Sequence, residues 1–358
     1  MAGRKLDMSN IEIKSSSGDY SILFEHSAKS FGEEIEFLIV DSHIRPDQRP
    51  AAKHIYVIDA VEANKTLEGV TSIIQAMATA GLTRNSELHA VGGGIVQDLA
   101  TLACSLYMRG IRWAYWPTTL TGMLDSCVGG KSSINLGAHK NLVGNFHPPK
   151  RIYLDTDFLE TLPLEHILSG LAEGVKICYA RGDVPFEEFL ALAPGAKIQP
   201  GDTATKLARL CLDAKKWFVE VDEHDKKERQ LLNFGHSFGH AFESATDYQV
   251  PHGISVALGI LAAVKYSKNE NSENTKQLVG YCQAILRSWR KSNPFAVAVN
   301  WGAFSLGLAG DKKNSQTDLR LVLPNDKGEL ALLSFAFSDG SLDLATDAMR
   351  SVADEELN

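Results

Sequence analysis

The apolar positions in the first half of the chain form short runs that alternate with longer segments of helical spacing. The runs that carry β-branched and aromatic residues are 33–42, 54–60, 87–91 and 111–119. Residues 69–81, between the second and third runs, have the spacing of an amphipathic helix. Because strands separated by helix-length segments indicate a largely parallel sheet with helical crossovers, we predict an N-terminal α/β domain over residues 1–157.

The pattern changes at about Thr161, after which helical spacing dominates. The longest helical segments are residues 165–182, 202–221 and 254–269. Two apolar runs, 319–324 and 329–335, flank Asn325–Gly328 and predict a β-hairpin. These features predict a mainly helical domain over residues 158–358, with an active site in the cleft between the two domains.

The composition excludes several classes of protein. The chain has 358 residues, 44% hydrophobic and 22% charged, which is typical of a globular protein of about two domains. Its net charge of −8 argues against a general nucleic-acid binder but permits a local basic pocket for a small anion. No apolar run approaches about 18 residues and the N-terminus lacks a signal-peptide pattern, so no membrane span is expected. The five scattered cysteines favour a reduced, cytoplasmic protein.

Three consecutive glycines, Gly92-Gly93-Gly94, follow the strand-like residues 87–91 and precede a helical segment that contains Asp98. Glycine lets the backbone approach a pyrophosphate closely, and a helix N-terminus supplies free N–H groups and partial positive charge. The run lacks the later glycine of the GxGxxG dinucleotide motif. By itself it fits either a nucleotide site or a tight turn between a strand and a helix.

Residues 109–147 gather charged and amide side chains among glycines and small residues. Lys131 follows two glycines, which suggests a cation held against a phosphate or carboxylate near exposed backbone N–H groups. Asp125 is a candidate for binding a sugar hydroxyl. The concentration of polar residues within 17 positions favours a site over a polar surface loop; these residues are Asp125, Lys131, Lys140 and Asn141.

A third group combines one carboxylate with three imidazoles. Glu173 and Lys176 lie one turn apart in a helical segment, and His236 and His240 have i,i+4 spacing. A carboxylate and imidazoles from separate segments suit a zinc ion that keeps one position open for substrate. Spacing alone makes His236 and His240 the natural pair, completed by either Glu173 or His252.

Two more cations, Lys215 and Arg229, lie in helix-forming segments. Taken alone, they are typical of solvated surface residues. They are 14 residues apart on segments that flank the acidic bend 221–225, so both could point into one cleft. Such a pair favours a substrate with a second anionic group, because arginine presents a fork that matches a carboxylate.

Taken together, these segments resemble the 3-dehydroquinate synthase family, within the wider sugar phosphate cyclase superfamily. The similarity extends from about Glu62 to Arg320. Its specific marks are residues 92–98, 109–110, 117–120, 125–135, 140–149, 170–176, 231–243, 252–253 and 311–313. Several of these segments are long, ordered and correctly spaced, which chance does not produce.

The resemblance implies two cofactors, NAD and a zinc ion that cobalt could replace. It makes residues 1–157 an α/β nucleotide-binding domain that takes NAD, and residues 158–358 a mainly helical metal- and substrate-binding domain. It assigns the metal to Glu173, His236 and His252, and it places His240 against the substrate phosphate. The residues expected to contact NAD are Glu62, Lys65, Gly93, Gly94, Asp98, Thr118 and Thr119, together with Asp125, Lys131 and Lys140.

The resemblance also implies a set of catalytic positions. These are Asp125, Lys131, Lys140, Asn141, Lys176, Lys215, Arg229, Asn233 and His240. Lys312 or Lys313 would close the pocket, and Lys313 is preferred. Arg109 resembles a family arginine that reaches the neighbouring subunit's site, which implies a homodimer.

The chemistry that follows from the resemblance is a cyclisation of 3-deoxy-arabino-heptulosonate 7-phosphate to 3-dehydroquinate and phosphate. NAD oxidises the C4 alcohol, phosphate leaves, the ketone is reduced again, and an intramolecular aldol step closes the ring. NAD is therefore regenerated in each turnover. The chain departs from the family pattern at Ile254, where a glutamate is usual, and at Lys227-Glu228, where the family has Gly-Leu before Arg229.

Three alternative functions have to be separated from this one. Cyclases that act on sedoheptulose 7-phosphate or glucose 6-phosphate have substrates without a carboxylate, so Lys215 and Arg229 would have no purpose as a clamp. Metal-dependent alcohol dehydrogenases place a histidine one turn after their first acidic ligand, where this chain has Ile177. A degenerate, non-catalytic NAD-binding protein is disfavoured because no expected catalytic position is lost.

Overall fold

The computed structural model describes residues 9–24, 27–137, 139–311 and 314–357. These residues form two compact units. The first unit comprises the described residues up to Leu162 together with Gln199–Glu223, and the second comprises Pro163–Ile198 together with the described residues from His224 onward.

The first unit is built on a seven-stranded sheet in the order β1-β2-β9-β6-β5-β3-β4. Only β1 and β2 pair antiparallel; the other neighbours in the sheet are parallel. Two further strands, β7 and β8, form a separate antiparallel pair. The strands are β1 (Ile11–Ile13), β2 (Tyr20–Leu23), β3 (Ile35–Asp41), β4 (Ala52–Ile58), β5 (Glu87–Gly92), β6 (Arg112–Pro117), β7 (Ile134–Leu136), β8 (His139–Val143) and β9 (Arg151–Tyr153).

The core of the first unit lies at the central strands. β6 is buried from Trp113 to Pro117, as expected for a parallel strand that is covered on both faces. The helices of this unit are α1 (Leu67–Thr79), α2 (Gly94–Leu106) and α5 (Asp202–Val221). The helix α1 begins where the Thr66 side chain accepts a hydrogen bond from Gly69 N, and it buries Val70, Ile73 and Met77 on one face.

The second unit is mainly helical. Its helices are α3 (Leu164–Arg181), α4 (Asp183–Leu192), α6 (His236–Ala245), α7 (His252–Ser267), α8 (Glu273–Ser292), α9 (Trp301–Ala309) and α10 (Ser341–Leu357). The strands β10 (Asp318–Pro324) and β11 (Leu330–Ala336) form an antiparallel hairpin. The helix α7 is buried on all sides from Gly253 to Val264, which makes it the central helix of the unit.

Two glycines let α7 approach its neighbours closely. A Cβ at Gly253 would lie 2.3 Å from Ser169 Cα on α3, and a Cβ at Gly259 would lie 2.0 Å from the Gly235 carbonyl oxygen before α6. Both distances are shorter than atoms tolerate, so only glycine fits at either position. The close packing brings the start of α7, where His252 lies, towards α3 and α6.

The predicted fold class is confirmed, with an α/β part followed by a mainly helical part. The predicted strands correspond to β3, β4, β5 and β6, and the predicted hairpin is present. The very short strands β1, β2 and β9 were not predicted, because three or four residues are too few to show an alternation of apolar and polar positions. No helix in the described ranges is long and apolar enough to cross a membrane.

The predicted division between residues 157 and 158 assigned the helix α5 to the C-terminal domain. In the structure α5 belongs to the first unit, because it packs against the turn Gly122–Ser126 of that unit. The functional domain boundary itself stays a prediction.

Candidate active site

A buried lysine connects three separate segments of the first unit. Lys65 Nζ lies 2.6 Å from Asp98 Oδ2 on α2 and donates a hydrogen bond of 2.7 Å to Asn141 Oδ1 on β8. Only 7% of the Lys65 surface is exposed. Burial raises the pKa of the Asp98 carboxyl, although the charge of Lys65 and the hydrogen bond from Ser133 N favour its ionised form.

The β7–β8 pair is attached to the same lysine segment through Asn135. Its Nδ2 donates to Glu62 Oε1 at 2.9 Å, its Oδ1 accepts from Asn141 N at 3.0 Å, and its own N–H donates to the Lys65 carbonyl at 2.8 Å. Asn141 has a φ of 53°, a left-handed conformation that asparagine tolerates better than most residues. Lys140 Nζ lies 3.7 Å from Glu62 Oε1.

Three expected NAD contacts, Glu62, Lys65 and Asp98, are therefore brought together with the expected catalytic residues Lys140 and Asn141. Ser133 and Asn135 belong to the same network, but the sequence assigned them no role. Both lie inside the segment 125–135, and the partners that define their roles are distant in sequence.

The glycine turn joins β5 to α2. A Cβ at Gly93 would lie 2.8 Å from Thr119 Cγ2, so the packing of Thr119 explains this glycine. A Cβ at Gly94, the first residue of α2, would meet open space within the described structure. Thr118 is buried, and its N–H donates to the Gly92 carbonyl at 3.0 Å. The tight-turn interpretation thus accounts for Gly93 but not for Gly94.

Asp125 and Lys215 form an ion pair within the first unit. Lys215 Nζ lies 2.5 Å from Asp125 Oδ1 and 2.5 Å from the Asp125 carbonyl oxygen. Asp125 belongs to a π-type turn, Gly122–Ser126, a geometry that is frequent at functional sites. Lys215 is only 6% exposed, so the interpretation of this lysine as a solvated surface cation is wrong.

Two other candidates of the first unit lie at its surface. Lys131 is exposed and forms an isolated antiparallel bridge with Phe146. Arg109 is exposed at the end of the short turn Tyr107–Arg109 and has a φ of 67°.

In the second unit, Glu173 and Lys176 share one buried face of α3. Lys176 Nζ donates to Glu173 Oε2 at 2.5 Å, and the Glu173 side chain is 1% exposed. The other carboxylate oxygen, Oε1, lies 3.0 Å from His252 Nε2 and 3.5 Å from His236 Nε2. No described residue donates a hydrogen bond of sound geometry to this oxygen.

Three imidazoles lie close to one another, and two of them, His236 and His252, face Glu173. His236 and His240 lie on α6 and His252 begins α7, and one ring nitrogen from each lies within 4.8 Å of the others. The ring centroids of His236 and His240 are 5.2 Å apart, and those of His240 and His252 are 5.5 Å apart. The structure thus brings together all four residues that the sequence left as alternative ligands.

The carboxylates control the charge of this cluster. Burial opposes ionisation of Glu173, but the charge of Lys176 and the contact with His252 hold the pKa of this carboxyl well below its usual range. Burial likewise opposes the charged form of His252, but Glu173 and Glu243 outweigh it and raise the pKa of this imidazole to about 10. In both cases the site favours positive charge beside Glu173.

The turn Glu228–Asn233, which precedes α6, carries two more candidates. Arg229 is 5% exposed, so the solvated surface interpretation is wrong for this residue as well. Asn233 Nδ2 donates to the Gln230 carbonyl at 3.1 Å. Lys312 and Lys313 lie outside the described residues.

Glu243 was missed by the sequence reasoning. Its Oε1 lies 2.6 Å from His252 Nδ1. A signal was present, because Glu243 follows His236 by seven residues and His240 by three, which puts all three on one face of a helix.

The cluster around Glu173 fits a metal ion. Imidazole nitrogens and a carboxylate oxygen are ligands that zinc prefers, and three protein ligands leave a position open. A buried carboxylate oxygen that lacks a hydrogen bond is costly unless a cation compensates it. The donor set and the incompletely bonded Glu173 Oε1 therefore both indicate a site for a cation.

Comparisons with known proteins identify relatives across most of the chain. Residues 55–169 match the model of the 3-dehydroquinate synthase N-terminal domain, and residues 170–314 match that of the C-terminal domain. A 3-dehydroquinate synthase from Xanthomonas oryzae pv. oryzae (strain MAFF 311018) is 39% identical over 278 residues, which cover 75% of this chain and 74% of the relative.

Two solved structures share the fold. A 2-deoxy-scyllo-inosose synthase complexed with carbaglucose-6-phosphate, NAD+ and Co2+ superposes with a TM-score of 0.82 at 23% identity, over 96% of this chain and 100% of that one. A 2-epi-5-epi-valiolone synthase from Streptomyces hygroscopicus subsp. jinggangensis 5008, with NAD+ and Zn2+ bound, has a TM-score of 0.79 at 22% identity, over 98% and 100% of the two chains.

Proposed function

This chain belongs to the 3-dehydroquinate synthase family, and on that premise we propose that it converts 3-deoxy-arabino-heptulosonate 7-phosphate into 3-dehydroquinate and phosphate. The reaction is an elimination of phosphate followed by ring closure, with an oxidation and a matching reduction at the same carbon. The shikimate pathway, which supplies the aromatic amino acids, is the corresponding context.

The observation that carries the proposal is the convergence of Glu173, His236 and His252 from three helices around one incompletely bonded carboxylate oxygen. We assign these three residues to a zinc or cobalt ion. Glu173, His236 and His252 would hold the metal, which would supply polarisation of a carbinol oxygen, and NAD would supply reversible hydride transfer at that carbon.

The chain's own residues supply orientation and charge beside this centre. Lys176 binds Glu173 Oε2 and so fixes which carboxylate oxygen faces the histidines. His240, whose ring stacks at 5.5 Å on that of His252, is assigned to the substrate phosphate. Asn233 and Arg229 are assigned to substrate binding, with Arg229 holding the carboxylate that distinguishes this substrate.

NAD binding is assigned to the first unit. Gly94 leaves open space at the N-terminus of α2. A dinucleotide phosphate that lies close to the backbone there would explain why this position is a glycine. The network of Glu62, Lys65 and Asp98, with Thr118 and Thr119 beside the glycine turn, supports the same assignment. Asp125, Lys131, Lys140, Asn141 and Lys215 are assigned to contacts with substrate or cofactor.

We also propose a homodimer in the cytoplasm. Exposed Arg109, held in a left-handed conformation, supports a role across a subunit boundary. All five cysteines are buried thiols, and burial raises the pKa of Cys127 to about 12, which suits a reducing compartment. Light scattering of the purified protein tests the dimer.

The substrate assignment is tested on purified protein supplied with zinc and substoichiometric NAD. Phosphate release is measured with the C1-carboxylate heptulosonate phosphate, sedoheptulose 7-phosphate and glucose 6-phosphate. We expect many turnovers per NAD with the first substrate only. A preference for an uncharged sugar would move the protein to another sugar phosphate cyclase, and NADH that accumulates with product would indicate a dehydrogenase.

A further inference from the structure

We propose that Glu243 is a positioning residue of the metal site, whose carboxylate orients the His252 imidazole so that Nε2 faces Glu173. This inference rests on the proposed function, because it concerns the ion that Glu173, His236 and His252 would hold. It adds a residue from α6 that takes no part in the assigned ligand set.

The two ring nitrogens of His252 face two different carboxylates. Nδ1 lies 2.6 Å from Glu243 Oε1, and Nε2 lies 3.0 Å from Glu173 Oε1. Glu243 therefore holds the side of the ring that points away from Glu173. A neutral imidazole carries its proton on one nitrogen only, so donation from Nδ1 to Glu243 leaves the Nε2 lone pair for a metal.

Packing alone does not fix the ring of His252. Its side chain is 44% exposed, whereas the side chain of Glu243 is 13% exposed. A half-exposed imidazole can rotate unless hydrogen bonds hold it, and the short contact with the better-buried Glu243 supplies such a bond. The orientation of His252 thus depends on a carboxylate from the neighbouring helix.

The helix geometry explains why Glu243 reaches this position. His236, His240 and Glu243 share one face of α6, so the helix that carries two imidazoles also presents the carboxylate. Ile254, two residues after His252, is completely buried, and its side chain carries no oxygen. The carboxylate that supports His252 therefore comes from α6.

A carboxylate behind a metal-bound imidazole fixes the ring and increases its basicity as a ligand. Loss of such a partner typically weakens metal affinity by about 10- to 100-fold. A purely structural tie between α6 and the start of α7 makes a different prediction, because its loss would lower the unfolding temperature of the metal-free protein without changing how the metal is held.

The test follows release of Co2+ from the loaded protein. The visible absorption of bound Co2+ is recorded while excess chelator removes the ion, for the wild type, Glu243→Gln and the control Asp247→Asn. The control removes one negative charge at an exposed position just beyond α6. We expect release from Glu243→Gln to be about 10- to 100-fold faster than from the wild type, and Asp247→Asn to match the wild type.

Release from Glu243→Gln at the wild-type rate would overturn the inference, as would a lower unfolding temperature of its metal-free form with unchanged release. Should Glu243→Gln fail to fold, the same release measurement is made on Glu243→Asp. Aspartate keeps the charge but withdraws the carboxylate from His252 by one methylene. A wild type that binds no stoichiometric Co2+ would instead overturn the proposed function, and the inference with it.

Discussion

In the first unit Lys65 lies between Asp98 and Asn141, whereas in the second unit Glu173 faces His236 and His252 with an oxygen to which none of the described residues donates a hydrogen bond. The first arrangement pairs each charge with groups of the chain itself. The second concentrates electron-pair donors around one carboxylate oxygen. Lys176 and His252 also pair with Glu173 in the second region, but there imidazole nitrogens and a carboxylate oxygen converge as metal ligands do.

This difference separates two ways of preparing a site. A network whose members are already hydrogen-bonded holds its geometry before a ligand arrives. A cluster of imidazoles beside a buried carboxylate offers lone pairs to an ion, and an ion that binds only the folded protein stabilises it further. Substitutions in the two regions should therefore separate cofactor binding, metal binding and stability.

The largest effect is expected for His236→Ala. Loss of one ligand should abolish metal retention and reduce phosphate release by about a thousand-fold, which corresponds to about 4 kcal/mol of activation free energy. NAD binding, assigned to the first unit, should persist. Metal content and NAD titration check both points, with the exposed His166→Ala on α3 as control. Full metal occupancy with unchanged activity would contradict the ligand assignment.

A smaller loss is expected for Arg229→Lys, because lysine cannot reproduce the forked contact with a carboxylate. The kcat/KM for the heptulosonate phosphate should fall by about 10- to 100-fold, or up to about 3 kcal/mol. The control is Arg287→Lys, which makes the same substitution at an exposed position on α8, outside the site. Equal values of kcat/KM for Arg229→Lys and the wild type would overturn the carboxylate assignment.

Lys65→Met tests whether the network of the first unit is complete without ligands. Removal of the ammonium leaves Asp98 without its cation, which should lower the free energy of unfolding by about 2 kcal/mol in the absence of NAD and metal. Lys53→Met is the control, because Lys53 pairs with Glu34 at 3.2 Å in an exposed ion pair, and such pairs contribute at most about 1 kcal/mol. Denaturant unfolding measures both, and equal effects would contradict the comparison.

The smallest effect concerns the acid stability of the first unit. Burial opposes ionisation of Glu87, but hydrogen bonds with His89 and Arg151 lower the pKa of Glu87 to about 2. A folded-state pKa below the unfolded value of 4.5 stabilises the protein above pH 4.5, and this contribution is lost as the pH falls towards 2. The lost contribution should be about 1–2 kcal/mol after allowance for the partly exposed Arg151.

Glu87→Gln should therefore be less stable than the wild type at pH 7 and lose less stability between pH 4.5 and 2. Urea unfolding at several pH values measures the difference, with exposed Glu160→Gln as control. The difference should be the same with and without chelator, because Glu87 belongs to the first unit, to which no metal is assigned. If the stability difference between Glu87→Gln and the wild type changed with chelator, the contrast between the two units would be wrong.

The sequence was most informative where a pattern is local. The i,i+4 pair His236 and His240 and the one-turn spacing of Glu173 and Lys176 are fixed by helix geometry, so their shared faces could be predicted without a structure. The runs that form β3, β4, β5 and β6 were long enough to be recognised as strands from their β-branched and aromatic residues. The resemblance added residues that spacing could not link, such as Lys215 and Asp98.

Other contacts depend on segments far apart in sequence. The pairing of Asp125 with Lys215 joins residues 90 positions apart, and that of Lys65 with Asn141 joins residues 76 positions apart. Local propensity carries no information on such distances. Burial of Lys215 and Arg229, which taken alone resemble surface cations, likewise follows only from the packing around them.

The sequence by itself determined the fold class, the succession of an α/β part and a helical part, and the residue types available for a metal, a dinucleotide and an anionic substrate. The tertiary structure decided which of these residues meet. Gly253 and Gly259 let α7 approach α3 and α6 so closely that His252 reaches Glu173 and Glu243. The reason is steric and non-local: the distance between two helices depends on both partners, and neither sequence segment encodes it alone.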